Sequence, residues 1–268
     1  RENLIRLAYE TIEDAYNDGI FILELRYSLN FIQEASGLSY EKIHSAFLEG
    51  IEKAQAVYPV ATGLISIFQR GQPKDQLAKI LDFTLQNKTT FIGADMADNE
   101  AAANSKDYAW VFDPLFEAGI PITIHAGETP DPLAPQRVKE AIEISHAQRI
   151  GHGIQSINDS SVIELIKNKK IHLEVCPISN VLTNAFINRK NHPFKDLYDS
   201  GVSLSVNSDD PGIFNTYLSD DYQYLINQFN FSETDFKKIN EMAYKASFIP
   251  DHLKRKVMPN YSNLSNPK

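Results

Sequence analysis

Residues 120–128 read Ile-Pro-Ile-Thr-Ile-His-Ala-Gly-Glu, and their reading decides the fold. Ile120, Ile122 and Ile124 make a β-branched run, with Gly119 and Pro121 punctuating its start, which is the pattern of a buried strand. The strand ends in His125, a small Ala126-Gly127 turn, and Glu128. In parallel α/β folds, ligands collect at the carboxyl ends of strands. A neutral imidazole there binds metal or takes a proton, and a nearby carboxyl moves protons. Taken alone, the stretch also fits a strand-end histidine capped by a loop carboxylate.

Outward from this strand, the same arrangement recurs. Strands are expected at 20–25, 60–68, 91–95, 121–125, 149–150, 171–176 and 202–207. Helical periodicity fills 2–18, 39–57, the stretch after Pro73, 105–118, 134–146, 159–168, 193–200, 219–228 and 232–246. Ser39 is a candidate N-cap, and the Asn/Ser/Pro-rich end at 259–268 reads as frayed. Strand-helix alternation without a linker predicts parallel strands with helical crossovers in one domain spanning 1–268. No Gly-rich phosphate fingerprint follows an early strand, whereas Glu24, Asp95, His125, His152, Cys176 and Asp209 follow strand after strand. A ring of reactive strand ends is the mark of a TIM-type (β/α)8 barrel. Seven of its eight strands are identifiable.

The composition narrows the function. Hydrophobic residues are 43% of 268, enough for a large core, and the net charge of −9 disfavours a nucleic-acid backbone as partner. A small molecule is the expected partner. No apolar run reaches the roughly 20 residues of a membrane span. The single cysteine, Cys176, excludes an intramolecular disulfide framework and fits a cytoplasmic, reducing compartment; it reads as a small buried apolar residue. It also excludes zinc deaminases that hold their metal with two or three cysteines.

Two further motifs carry chemistry. In Val202-Ser-Leu-Ser-Val-Asn-Ser-Asp-Asp-Pro211, continued strand alternation puts Ser203, Ser205, Asn207 and Asp209 on one face and turns Asp210 away. Two adjacent carboxylates can then divide labour, one on a cation and one on a substrate; Asp-Asp-Pro is equally good turn chemistry. In Arg149-Ile-Gly-His-Gly153, flanking glycines let the backbone approach closely and the His152 imidazole reach inward, although an exposed loop histidine fits as well. His44, His146, His192 and His252 lie on or beside helices and read as structural or surface residues, and His172 sits at the stability end of its strand.

In order and spacing, His125-Ala-Gly-Glu128, Arg149-Ile-Gly-His-Gly153, Cys176-Pro-Ile-Ser-Asn180 and Ser205-Val-Asn-Ser-Asp-Asp-Pro211 resemble the adenosine deaminase family of metal-dependent hydrolases. Glu24-Leu-Arg-Tyr-Ser28 and His192-Pro-Phe194 extend the likeness, which runs from about residue 20 to 250. The resemblance implies a (β/α)8 barrel, a zinc ion, and hydrolytic deamination of adenosine and 2'-deoxyadenosine to the inosine and ammonia products. It makes His125 and Asp209 zinc ligands, and it places His152 beside the activated water, orienting it or taking its proton. Glu128 would protonate purine N1 and Asp210 would hold N7. Gly151 before His152 points to the adenosine branch, since adenine-specific relatives tend to carry an acid there.

Two departures stand out. Ala97-Asp98-Asn99 replaces the family's Ala-Gly-Asp, so Asp98 would offer its backbone N–H to purine N3 while its side chain narrows the pocket. The His-x-His pair of the family's first strand occurs nowhere in the 268 residues. Catalytic zinc normally takes three or more protein ligands, so the expectation is an N-terminally incomplete domain. The alternatives are an aminohydrolase acting on adenine or an N6-modified adenine nucleotide, and a metal-free, non-catalytic nucleoside-binding remnant. A metal-free glycosidase using Glu128 with Asp209 or Asp210 is the weakest reading.

Overall fold

The computed structural model describes residues 1–186 and 191–259. Seven strands form one sheet in chain order: β1 Ile22–Tyr27, β2 Ala61–Gln69, β3 Phe91–Ala97, β4 Ile122–Ala126, β5 Arg149–His152, β6 His172–Val175 and β7 Ser203–Val206. The expected strands are all present, with ends shifted by at most two residues. The tail at 260–268 lies outside the described residues. The chain divides into two compact units, residues 1–94 with the chain from 247, and residues 95–246.

In the first unit, β1 and β2 pair in parallel from Ile22 opposite Ala61 to Tyr27 opposite Ser66. The helix Glu2–Asn17 buries Ile5, Ala8, Ile12 and Ala15, while Tyr40–Gln55 buries Ile43, Ala46, Phe47, Gly50, Ile51 and Ala54. Ser39 caps the second of these helices, its Oγ accepting from Lys42 N. Between β1 and that helix the chain forms Leu29–Ser36, capped by Ser28 and closed by Gly37 at φ 69°. Sequence periodicity missed this short helix because it buries only Leu29 and Asn30. Glu24 accepts hydrogen bonds from Phe248 N at 2.6 Å and Ser247 Oγ at 2.8 Å, so β1 fastens the chain's return to this unit.

In the second unit, β4 to β7 pair successively in parallel. Ile122, Thr123 and Ile124 are fully buried, as a strand covered on both faces requires. Toward the strands' amino ends the interior is polar and paired. Arg149 and Glu174 form an ion pair at 2.6 Å, Thr123 Oγ1 donates to Glu174, and the His172 ring meets Ser203 and Ser205 at 2.8 and 2.9 Å. His172 is thus structural, as its position in the strand implied. The predicted helix at 105–118 is a 3-10 turn, Ser105–Tyr108, followed by Ala109–Glu117.

Gly50 shows how closely the helices of the first unit pack. A Cβ added there would stand 2.4 Å from the Ile5 carbonyl oxygen and 2.7 Å from Ala8 Cβ. Both obstacles are helix-borne and cannot swing aside. Gly50→Ala is therefore expected to destabilise the protein by about 1–3 kcal/mol despite its better helix propensity. Gly212→Ala, where nothing lies within 4 Å, serves as the control. Urea midpoints at constant m-value check the difference.

Candidate active site

Strand register assembles the site. His125 lies opposite Gly151 across the β4–β5 ladder, and Ala126 lies opposite His152. A Cβ at residue 151 would come within 3.0 Å of the His125 ring, so the glycine makes the space that His125 occupies. The two imidazoles then meet edge to face, 5.2 Å between centroids. β5 runs through His152 rather than stopping at Ile150, and at the strand's tip the His152 backbone turns left-handed, φ 61°. This is a buried residue, 2% exposed, and not the loop histidine that the sequence left open.

Asp209 arrives by another route. β7 ends at Val206, so strand alternation does not carry through to Asp209 as the sequence suggested. Ser205 and Asn207 do share a face, and Asn207 Nδ2 donates to Ser205 Oγ at 2.9 Å. Asp209 itself sits at φ 59°, and this left-handed turn brings its carboxylate to accept from Ser179 Oγ at 2.6 Å. One ligating atom each from His125, His152 and Asp209 lies within 4.8 Å of the others.

The surroundings fit a cation. His125 Nδ1 lies 3.0 Å from both carboxylate oxygens of Asp95, whose side chain is fully buried. An imidazole donating its Nδ1 proton to a buried carboxylate presents a lone pair at Nε2, the arrangement that orients metal-binding histidines. One imidazole nitrogen and one carboxylate oxygen are donors that zinc takes. His152 Nε2 lies 3.5 Å from Glu128 Oε2 and 3.9 Å from Asp209 Oδ2. The other oxygen of Glu128 accepts from Thr183 Oγ1 at 2.9 Å. His125, Glu128, His152 and Asp209 are therefore brought together.

Asp98 and Asp210 stand outside this cluster, and both are exposed. Asp98 has φ 79°, a conformation glycine adopts freely, and its Oδ1 accepts from Asn99 N at 2.7 Å. Asp210 opens the short helix Pro211–Phe214, its carbonyl accepting from Ile213 N and Phe214 N at 3.0 Å each.

Sequence reasoning gave no role to the residues that hold these groups in place. Asp95 was visible as an acid at a strand end and Asn180 as part of a motif, but neither pattern names a partner. Glu100 carried no signal at all. It is 4% exposed, and its carboxylate accepts from Gly127 N and Glu128 N at 2.7 Å each and also from Thr129 N. Gly127, at φ 72°, turns these successive N–H groups toward one point, a backbone nest for an anion.

The whole pattern matches one family model, adenosine deaminase, over residues 1–263. The chain belongs to the adenosine deaminase family. Among relatives of this adenosine deaminase family member, the adenosine deaminase of Plasmodium gallinaceum is 39% identical over 257 residues, covering 95% of this chain and 70% of the relative. That of Clostridium acetobutylicum is 31% identical over 254 residues, covering 95% of this chain and 75% of the relative. The adenine deaminase structure from Arthrobacter aurescens superposes with a TM-score of 0.89 at 24% identity, over 98% of this chain and 79% of that one. An N6-methyl-AMP deaminase from Arabidopsis thaliana gives 0.86 at 21%, over 98% and 79%. The fold is thus of the TIM-type barrel class, with seven parallel strands among the described residues.

Glu100 offers a direct check on the loop that carries Glu128. Glu100→Gln keeps the shape but removes the charge and turns an N–H toward donors. Hydrogen bonds to a charged group contribute about 1.5–3 kcal/mol, so turnover is expected to fall roughly 10- to 100-fold. Amide exchange at 127–129 should accelerate in the same variant. Unchanged exchange there would remove Glu100 as the loop's anchor.

Proposed function

We propose that the protein removes the 6-amino group of adenosine and 2'-deoxyadenosine hydrolytically, giving the inosine nucleosides and ammonia. The observation that carries this is the His125–His152–Asp209 cluster beside Glu128 at the strand ends, in a chain of this family. His125 and Asp209 are the residues that would hold zinc. Bound there, zinc supplies the Lewis acidity that makes hydroxide available near neutral pH.

The chain's own groups do the rest. Glu128, at the mouth of β4, hydrogen-bonds purine N1 and delivers a proton to it. Without that proton, aromatic C6 is a poor electrophile, because the ring has nowhere to put the incoming electrons. His152 faces the same carboxylate and positions the attacking oxygen. Asp210 holds N7 from the exposed start of the helix Pro211–Phe214, and Asp98 offers its backbone N–H to N3. Gly151 before His152 supports adenosine over adenine through the family resemblance, in which adenine-specific relatives tend to carry an acid at that position. We read the 268 residues as one metal-dependent hydrolase domain acting on a small purine nucleoside in the cytoplasm, without nucleic-acid or membrane partners. Among the described residues, no helix is long and apolar enough to cross a membrane.

Glu128→Gln keeps size and hydrogen bonding but cannot shuttle a proton. Adenosine turnover, followed by ultraviolet absorbance, should fall by roughly 10²–10⁴ with zinc per chain unchanged. A variant that deaminates at the wild-type rate would sink the assignment. Adenine and N6-methyl-AMP assayed alongside test the substrate class.

The two adjacent aspartates should fail differently. Asp209→Ala is expected to lower zinc per chain, measured by atomic emission on purified protein. Asp210→Ala should keep the metal and raise KM or lower kcat. Equal, near wild-type zinc in both variants would take Asp209 off the ligand list.

A further inference from the structure

Behind His152 lies a buried chain of hydrogen bonds that ends on a backbone amide, and that end fixes its direction. Phe194 N–H can only donate, and it lies 3.1 Å from His192 Nδ1. His192 Nδ1 is therefore an acceptor, and in the neutral ring the proton sits on Nε2. His192 Nε2 lies 3.2 Å from Asn180 Oδ1 and donates to it. That sets the orientation of the Asn180 amide without any need to see its hydrogens. The NH2 group faces His152, with Nδ2 2.9 Å from His152 Nδ1. An amide NH2 has no lone pair to offer, so His152 Nδ1 must accept, and the His152 proton is on Nε2.

The other side of the ring agrees. His152 Nε2 faces carboxylate oxygens of Glu128 and Asp209 at 3.5 and 3.9 Å. An N–H points at two acceptors there, whereas a lone pair would point at two more lone pairs. Asn180 is 0% exposed, His192 1% and His152 2%, so water cannot stand in for a broken link. Burial also pushes the His192 pKa down to about 3, with the nearby His152 adding to the effect, which keeps the ring in the neutral form that the chain requires.

We propose that Phe194 N–H, His192 and Asn180 act as a positioning relay that holds His152 as its Nε2–H tautomer, so that His152 enters the reaction as a hydrogen-bond donor and not as a metal ligand. A neutral imidazole binding a metal through Nε2 carries its proton on Nδ1, where the Asn180 amide protons already point. Reversing the tautomer means flipping Asn180 and turning a His192 N–H against Phe194 N–H. His152 is therefore distinguished from His125, although both stand in the same cluster. His125 Nδ1 faces a carboxylate acceptor, Asp95, and His152 Nδ1 faces an amide donor. The relay rests on the deaminase reading only for its consequence in catalysis.

The test reads the tautomer directly. In two-bond 1H–15N spectra of the labelled protein, with His152 assigned by loss of its signals in His152→Gln, Nδ1 should appear unprotonated and Nε2 protonated. Cadmium-113 added as the metal probe should couple to a ring nitrogen of His125 and to none of His152. Asn180→Asp, which puts an acceptor against Nδ1, should move the His152 proton to that nitrogen and lower kcat on the order of 10²-fold with KM nearly unchanged. A wild-type His152 protonated on Nδ1, or one coupled to cadmium, would overturn the relay whether or not the substituted protein folds. A protein that shows the expected tautomer yet leaves adenosine untouched would refute the deaminase reading and keep the relay.

Discussion

The arrangement at the strand ends depends on one steric constraint, the missing side chain at Gly151. Parallel pairing of β4 with β5 sets His125 opposite that glycine and Ala126 opposite His152. With a Cβ at 3.0 Å, the His125 ring would have to give by a few tenths of an ångström against the Asp95 contact that directs its nitrogens. Small residues at 126, 127, 151 and 153 flank the reactive ones, so two imidazoles fit side by side. Packing below reinforces the register: Val138 closes on Gly127, and Leu173 and Ile150 close on Gly153.

Backbone conformation is the second constraint. Asp98, His152 and Asp209 all have positive φ, at 79°, 61° and 59°. Each such L-residue costs roughly 1–2 kcal/mol where glycine would cost little. That cost persists only where surrounding contacts over-determine the geometry. His152 is held by Asn180, Asp209 by Ser179, and the loop at 127–129 by Glu100. The polar floor formed by Arg149, Glu174 and Thr123 keeps the strands themselves in register beneath. Stability and reactivity are thereby separated along the strand axis, the paired groups at one end and the strained ones at the other.

Much of this was legible from residues alone, for reasons that can be named. Apolar β-branched runs fix where strands lie, and in a parallel sheet their carboxyl ends share one side. A histidine or acid directly after such a run is therefore placed by local sequence, which is why His125, His152, Glu128 and Asp95 could be located at strand ends. Ser39 as a cap follows from equally local physics. The short helix Leu29–Ser36 escaped, because it buries too little apolar surface to leave a period, and the start of the helix expected at 105–118 is a 3-10 turn.

The sequence by itself determined the strand-helix alternation, the placement of the reactive residues at strand ends, and the family. Tertiary structure alone decided how those residues face one another. Asp209 enters through a left-handed turn that strand alternation does not anticipate. Glu100 meets the 127–129 amides from 27 to 29 residues away, and Asn180 reaches His152 across 28. Periodicity reports which face of an element is buried. A hydrogen bond between distant loops depends on the meeting of two backbones, and only the folded chain contains that.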